Sequence, residues 1–427
     1  MSFTSRACVK WALLAMALVI TTYFLSSVYL RALNIPYQDD VLDILLFLLR
    51  FTAVDNVREQ LGELFSVYNT HRTASSRILY YGIYRLHGQV DFQVFTLVAN
   101  LALPLIAVCY SRIISLRKDV FLALLIAALV LCQPFTYELV FFPVAAFSFY
   151  FLVLYALACL LLIERQTLPG LCLAMLSACM ASLTLVSGLS VWLVGGLYVS
   201  YQVFYQKDRR PLHVFIWFLA ALVLLVVFFS DFSGSQTAGG IWHGILQRPQ
   251  HQLAYFFVLA GSGIGFGAVG VSLTAGFLLV SGLGWLVYRD CKTGLSSLHF
   301  FALFLLLSLI MVCLGRATLA ELDYTTHRYA FLSRNLLLCF ALLLLARLRS
   351  ALPKLLVMLI MVAFWTVSYY FSVPQLERQM AFRVKNFNAG KYPVFYYAEE
   401  ETKEIVNEAI QRGIYVPPER PLQVYPQ

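Results

Sequence analysis

The segment "KWALLAMALVITTYFLSSVYL" (Lys10–Leu30) decides the class of fold of this chain. After its lysine it carries no charged residue, and about 20 such residues in a helix cross the hydrocarbon core of a bilayer. The run is too long for the apolar core of a signal peptide, and it lacks a small-residue cleavage site. We therefore expect a retained membrane anchor.

Similar apolar runs recur along the whole chain. Of its 427 residues, 61% are hydrophobic and only 12% are charged, too few to cover a soluble protein with polar surface. We predict an all-α polytopic membrane protein with a transmembrane domain (1–372) and a small C-terminal tail (373–427) containing one helix. A further helix (251–265) either leads into the eighth span or lies along the interface. Hydropathy predicts about eleven spans, near 10–30, 93–114, 120–133, 146–163, 171–186, 189–205, 214–230, 266–287, 298–314, 331–346 and 355–372.

The positive charge of the chain predicts its orientation. The net charge is +9, but the basic residues are dispersed over short loops and not gathered in a block with aromatic residues, which argues against a nucleic-acid partner. If the N-terminus is cytoplasmic, the cytoplasmic loops carry 14 lysines and arginines, against three in the short outer loops. The positive-inside bias then places the C-terminal tail outside the cytoplasm. None of the nine cysteines lies in the long polar segments, so no disulfide framework is expected there.

The first long loop (31–92) opens with a concentration of acidic residues. In "NIPYQDDVLD" (34–43), Asp39 and Asp40 are adjacent and Asp43 follows. Ionised carboxylates cost several kcal/mol in hydrocarbon, so these groups must lie in water, in a helix cap or in a polar site. A helix N-cap explains one carboxylate. The other interpretation is a general base, held near hydrocarbon where desolvation raises its pKa.

The rest of this loop mixes apolar and basic residues. "VLDILLFLLRF" (41–51) is too short to span a membrane and predicts an interfacial or re-entrant helix. Residues 54–88 fit two helices on the membrane surface. Between them, "HRTASSR" brings His71, Arg72 and Arg77 to one face. These side chains either meet lipid headgroups or bind phosphate, for which arginine offers paired donors.

Two later segments hold the remaining candidate residues. Glu138, in "QPFTYELVFFP" (133–143), is either a lone interfacial carboxylate or a functional group. The second segment is "GRATLAELDYTTHRYAFLSRN" (315–335), which would either hold a lipid-linked phosphate or form internal ion pairs such as Arg328 with Asp323. Its last arginine lies too far into the next span to be a candidate. The charged side chains of this segment are Arg316, Glu321, Asp323, His327, Arg328 and Arg334.

Glycine and serine in a third segment, 231–252, indicate either a lid over a substrate or an idle connection.

The order of these motifs resembles that of the GT-C superfamily of integral-membrane glycosyltransferases. "PYQDD" (36–40) is similar to the first-loop acidic motif, and Glu138 follows the third span as the second acidic residue of that family does. "THR" (70–72), "GR" (315–316) and "HRY" (327–329) resemble elements of bacterial members. The resemblance implies a GT-C-like fold in the inner (plasma) membrane and a polyprenyl-phosphate- or diphosphate-linked sugar donor. The acceptor would be a glycan, a lipid or a protein on the extracytoplasmic face.

The resemblance also implies roles for residues. Asp39 or Asp40 would be the base of an inverting transfer, and Glu138 would position the acceptor or share a cation. The chain has no strict D-x-D motif, so the resemblance leaves Mg²⁺ or Mn²⁺ open as a cofactor. The departing phosphate and the rest of the substrate would be bound by His71, Arg72, Arg77, Arg316, His327, Arg328 and Tyr329.

Two other functions stay open. A lipid-linked glycan polymerase or ligase would use similar outer-loop arginines and histidines. A lipid or glycan transporter (flippase) would need charges or broken helices near the membrane midplane, whereas the charges here gather at the outer ends of the spans.

Overall fold

A computed structural model describes residues 3–68, 71–114, 119–207, 210–230, 248–316, 328–392 and 399–422 of the chain. Within these ranges the protein is almost entirely helical, and their one sheet is a two-stranded hairpin of β1 (Val67–Tyr68) and β2 (His71–Arg72). The predicted class, an all-α polytopic membrane protein, is confirmed.

The helices of the first loop are short, and those that follow are longer. A π-helical turn, Val41–Leu46, precedes the second helix. Up to the middle of the chain the α-helices are α1 (Phe3–Arg31), α2 (Phe47–Ala53), α3 (Val57–Phe65), α4 (Ala74–His87), α5 (Phe92–Asn100), α6 (Ala102–Ile114), α7 (Val120–Leu131), α8 (Tyr137–Val140), α9 (Pro143–Glu164) and α10 (Leu168–Ser182). The later ones are α11 (Ser190–Tyr201), α12 (Leu212–Phe229), α13 (Pro249–Gly265), α14 (Val269–Asp290), α15 (Ser297–Arg316), α16 (Ala330–Arg347), α17 (Ala351–Asn388) and α18 (Glu399–Gln411). Short 3₁₀ turns lie at Pro134–Thr136 and Val186–Leu189, and a second π-helical turn at Gln202–Gln206.

Ten helical segments of the described chain are long and apolar enough to cross a membrane. The fifth predicted span corresponds to α10, which has only 15 residues and rises about 23 Å at 1.5 Å per residue. The ten segments and α10 together are consistent with eleven spans, and this total stays a prediction. Helix α9 has no exposed side chain and is a central helix of the bundle. In contrast, α1, α12 and α17 expose apolar side chains as lipid-facing helices do.

Several helix ends meet at one end of the bundle. The amide of Asn34, just after α1, accepts the backbone N–H of Phe92 at the start of α5 (2.9 Å). We call this end, together with segment 32–91, the loop face. Contacts with the first loop bring the start of α9 and the ends of α10 and α12 to the same face. At the opposite end, Ser297 donates a hydrogen bond to Glu164 (2.6 Å).

Helix α13 leads directly into α14 through a tight turn. Phe266 and Gly267 have positive φ angles (48° and 89°) and reverse the chain. The two helices then pack with almost no side chain between them, since a Cβ on Gly261 would lie 1.9 Å from the backbone oxygen of Ser272. Glycine allows this approach of two backbones. The prediction for residues 251–265 left two alternatives, a helix that leads into the eighth span and a helix along the interface. The direct turn into α14 favours the first.

The last long helix carries the chain back to the first loop. Helix α17 has 38 residues, about twice the number needed to span a bilayer, and the predicted boundary at 372 falls inside it. After it, α18 and the following residues pack on the loop face: the hydroxyl of Tyr415 donates to the backbone oxygen of Asn34 (2.9 Å). Val90 N–H also donates to the backbone oxygen of Ile414 (2.6 Å).

Candidate functional site on the loop face

Asp40 is fully buried and joins the first loop to the central helix. Its carboxylate accepts the backbone N–H of Tyr37 (2.9 Å) and the backbone N–H of Val144 (3.2 Å). Val144 lies in the first turn of α9, so Asp40 caps that helix, and it makes no side-chain capping bond to the turn that follows it in sequence. Gln38, with φ of 50°, occupies the left-handed region that side chains rarely adopt and turns the chain into this position.

Arg383, which no sequence motif indicates, lies beside Asp40. Its guanidinium stands 3.6 Å above the ring centre of Tyr37, and Nη1 donates to the backbone oxygen of Phe141. The charges of both Asp40 and Glu138 act on it, so the end of α17 supplies a cation shared by two predicted carboxylates. Nothing in the local sequence around Arg383 signals this role, because the contact depends on the length of α17.

Burial controls the protonation of Asp40. It raises the pKa of this carboxyl to about 8, although the two backbone N–H groups and Arg383 pull the pKa down. The neighbouring Asp39 is only partly buried, and its negative charge adds to the upward shift. The two adjacent carboxylates therefore differ: one is enclosed and bonded to the backbone, the other reaches the surface of the loop face.

Asp43 and Arg77 form a buried ion pair. Arg77 Nε lies 3.3 Å from Asp43 Oδ1, which also accepts the hydroxyl of Thr73 (3.0 Å). Burial raises the pKa of Asp43 against these partners. Arg77 Nη1 further donates to the backbone oxygens of Glu63 (2.8 Å) and Ser66 (3.0 Å) at the end of α3. These contacts give Arg77 a structural role, and substrate binding by it stays a prediction.

Arg72 also bonds within the protein. Its Nε donates to the backbone oxygen of Phe228 (3.1 Å), near the end of α12, and Nη1 to that of Phe65 (2.9 Å). It thus holds the hairpin between α3 and α12 and fixes the position of the adjacent His71. A direct contact of Arg72 with substrate stays a prediction.

His71 lies close to two arginines from distant parts of the chain. Burial and the positive charges of Arg316 and Arg328 lower the pKa of His71 to about 4, so its imidazole is neutral at neutral pH. Its Nδ1 accepts the backbone N–H of Val186 (3.4 Å), which assigns the ring proton to Nε2. The structure thus brings together three of the residues predicted to bind substrate, and it does so at the loop face.

Tyr329 connects this cationic group to the central helix. Its buried ring packs edge-on against Phe149 (5.8 Å between ring centres), and the guanidinium of Arg328 lies 5.7 Å from the ring centre of Tyr329. Phe149 follows Val144, the partner of Asp40, by five residues, or about 8 Å along α9. Asp40 and Arg328 are therefore both linked to the first turns of α9, Arg328 through the ring of Tyr329.

Some predicted features lie outside the described residues: His327, Glu321, Asp323 and residues 231–247 of the lid predicted at 231–252. Among the residues that are described, no three His, Cys, Asp or Glu side chains form a group that could hold a metal ion. We therefore assign no step to Mg²⁺ or Mn²⁺.

The chain matches no protein-family model, no curated protein and no solved structure to which it was compared.

Proposed function

We propose that the protein is a membrane glycosyltransferase that transfers a sugar from a polyprenyl-phosphate or -diphosphate carrier to an acceptor hydroxyl. The observation that carries this proposal is that the charges of Arg316 and Arg328 converge on His71 at the loop face, where α9 also holds Asp40 at the acidic start of the first loop. A cationic group on the same face as carboxylates, at the end of lipid-facing helices, suits a donor whose phosphate is at the surface and whose chain stays in the bilayer.

The cationic group would bind the phosphate of the donor. Guanidinium groups form paired, charge-assisted hydrogen bonds with phosphate oxygens, and the neutral His71 offers its Nε2–H as a further donor. These contacts strengthen as negative charge develops on the phosphate during departure, which is how a fixed electrostatic site lowers a barrier. Tyr329 would hold Arg328 in place through its ring.

Asp39 is the better candidate for the base. Both oxygens of Asp40 already accept backbone N–H groups inside the protein, whereas Asp39 is partly exposed beside it. Asp39 would accept the proton of the acceptor hydroxyl while the hydroxyl oxygen bonds to the anomeric carbon. The bond from that carbon to the carrier phosphate breaks, and the phosphate leaves with its electron pair. Asp40 and Arg383 would position the loop, and Glu138 the acceptor.

The experiment is a transfer assay with the purified protein in lipid nanodiscs and a panel of radiolabelled polyprenyl-phosphate and -diphosphate sugars. We expect Asp39→Asn to lower kcat by at least about 100-fold, the usual contribution of a general base. Arg328→Gln should raise the KM for the donor and lower kcat. Lys403→Gln, on the exposed tail helix α18, is the matched control and should keep the activity of the parent.

The products separate this proposal from its alternatives. One added sugar per acceptor supports it, whereas long product chains indicate a polymerase. Full activity of Asp39→Asn removes the assignment of the base. If no donor of the panel is used while labelled lipid moves across the bilayer of vesicles, the protein is a transporter and the proposal is wrong.

A further inference from the structure

Arg334 is buried inside the helix bundle, one layer below the cationic group of the loop face. Its side chain is 2% exposed. Nε donates to the backbone oxygen of Gly263 (3.2 Å) and Nη2 to the hydroxyl of Ser368 (3.0 Å). The rings of Phe135 and Phe364 lie 4.2 Å and 5.3 Å from the guanidinium carbon. Polar contacts thus account for two of its three nitrogens.

The charge of Arg334 is not balanced within the described part of the chain. Nη1 is buried and has no hydrogen-bond partner there. Arg334 forms no salt bridge with a carboxylate of the described residues, and Tyr150 lies near enough to act on its charge. A charged arginine surrounded by hydrocarbon costs several kcal/mol, of which two aromatic faces recover only a part. An anion beside Nη1 would complete the site.

A purely structural role explains only some of these contacts. Gly263 lies in the last turn of α13, where a cation stabilises the final carbonyl groups of a helix. Glycine is required there because a Cβ would lie 2.7 Å from Arg334 Cγ. This role uses Nε and leaves the buried Nη1 without a function.

We propose that Arg334, together with the hydroxyl of Tyr150, binds the phosphate group of a membrane lipid. Tyr150 follows Phe149, which packs on Tyr329, and Arg334 lies about 8 Å along α16 from Tyr329. The site is therefore close to the loop face but enclosed by apolar helices. A phosphate attached to a hydrocarbon chain can arrive there with its chain still in the bilayer, whereas a free ion must lose its hydration entirely.

This site is separate from the group formed by His71, Arg316 and Arg328, and its existence does not require sugar transfer. Native mass spectrometry of the purified protein with dodecyl phosphate as the probe counts the molecules bound per protein, and the variants assign them to sites. We expect the parent to bind at least one molecule and Arg334→Gln to bind one molecule fewer, and a parent that binds none would overturn the proposal. Arg347→Gln, at the far end of the same helix, is the matched control and should bind the same number as the parent.

Tyr150→Phe tests the site without removing the arginine. This variant keeps the ring that packs on Phe331 (4.7 Å between ring centres). It should weaken the binding of dodecyl phosphate at this site several-fold. It replaces Arg334→Gln as the test if that variant does not fold. Equal numbers and affinities for dodecyl phosphate in the parent and in the variant that folds would overturn the proposal. Equal occupancy by inorganic phosphate at the same concentration would overturn its lipid part.

The loop-face group is tested separately by Arg328→Gln. Loss of a molecule in that variant, with the Arg334 molecule retained, supports two independent sites. If Arg328→Gln binds as the parent does while Arg334→Gln still loses one molecule, the loop-face anion site is wrong and the Arg334 site stands.

Discussion

Asp40 has both carboxylate oxygens bonded to backbone N–H groups, one from its own turn and one from the start of α9. Such an acid can do structural work in either protonation state, because a neutral carboxyl still has oxygens that accept hydrogen bonds. Because Asp40 is enclosed, it is poorly placed to accept a proton from a substrate. Its hydrogen bonds instead hold the first loop against α9. In the proposed transfer the reactive role therefore belongs to Asp39, which is only partly buried.

The first residue-scale prediction concerns the pH dependence of stability. The pKa of Asp40 rises from 3.8 to about 8 on folding, so its contribution to stability is fully present below about pH 4 and is lost as the pH rises through about 8. Asp40→Asn should remove this dependence and lower the stability at about pH 5 by about 1 kcal/mol, because one hydrogen bond is lost. Thermal unfolding in detergent between about pH 5 and 9 measures both effects.

His71 contributes to the pH dependence of stability with the opposite sign. Its pKa is lowered on folding, so its stabilisation is lost as the pH falls from about 6.5 to about 4. This contribution is common to the parent and the Asp40 variant and cancels in their difference. Asp55→Asn, an exposed carboxylate of the same loop, is the control and should keep the pH dependence of the parent. Parallel curves for the parent and Asp40→Asn would contradict the prediction.

At the scale of elements, small residues decide how α13 and α14 pack. Gly261, Gly265 and Gly276 each leave at most 2.0 Å between an added Cβ and the nearest atom of the facing helix. In a membrane, where lipid chains are as apolar as side chains, close backbone packing of this kind drives helix association. The hairpin in turn places Gly263 against α16 and so fixes the surroundings of Arg334.

The element-scale prediction compares two glycines of α14. Gly276→Ala should destabilise the protein by about 1–3 kcal/mol, because its Cβ would lie 1.9 Å from the backbone oxygen of Phe257 and the helices must separate. Gly270→Ala meets nothing within 4 Å and should be neutral or slightly stabilising. The folded yield and the melting temperature of the two variants in detergent measure the difference. A similar loss in both variants would contradict the prediction, because Gly270 has no close neighbour for an added Cβ to displace.

On the scale of the whole molecule, the tail closes over the first loop. Contacts from Asn34 reach both Phe92 and the backbone oxygen of Val416, and Tyr415 packs edge-on against Phe92 (5.5 Å). The beginning and the end of the described chain therefore support the same face. The alternating ends of the helices place Asp290 and its partners Arg347 and His299 on the opposite face.

The whole-molecule prediction is the orientation of these two faces. The excess of basic residues in the loops opposite the loop face predicts that those loops are cytoplasmic. A membrane-impermeant maleimide added to intact cells should label a variant with Glu408→Cys as its one cysteine, and should not label a variant that retains only Cys291. Both sites are exposed on the protein surface. The reverse labelling pattern would place the candidate site in the cytoplasm and contradict the proposed function.

The sequence alone determined the class of fold and most of the spans. The free energy of transferring a run of side chains into hydrocarbon depends on composition and length, which can be read locally. The same reasoning located the acidic start of the first loop and the basic residues His71, Arg316 and Arg328, because charges at the ends of apolar runs are rare enough to stand out. It also predicted the tail helix, whose glutamates gather in the first turn.

Only the tertiary structure decided what these residues contact. Asp40 bonds to a residue 104 positions away and Arg383 to one 242 positions away, and no local pattern encodes such pairs. Whether a carboxylate is a cap, a structural joint or an exposed base depends on burial, and burial is a property of packed helices. For the same reason Arg334, which the sequence places inside a span, became a candidate anion site only when its neighbours were known.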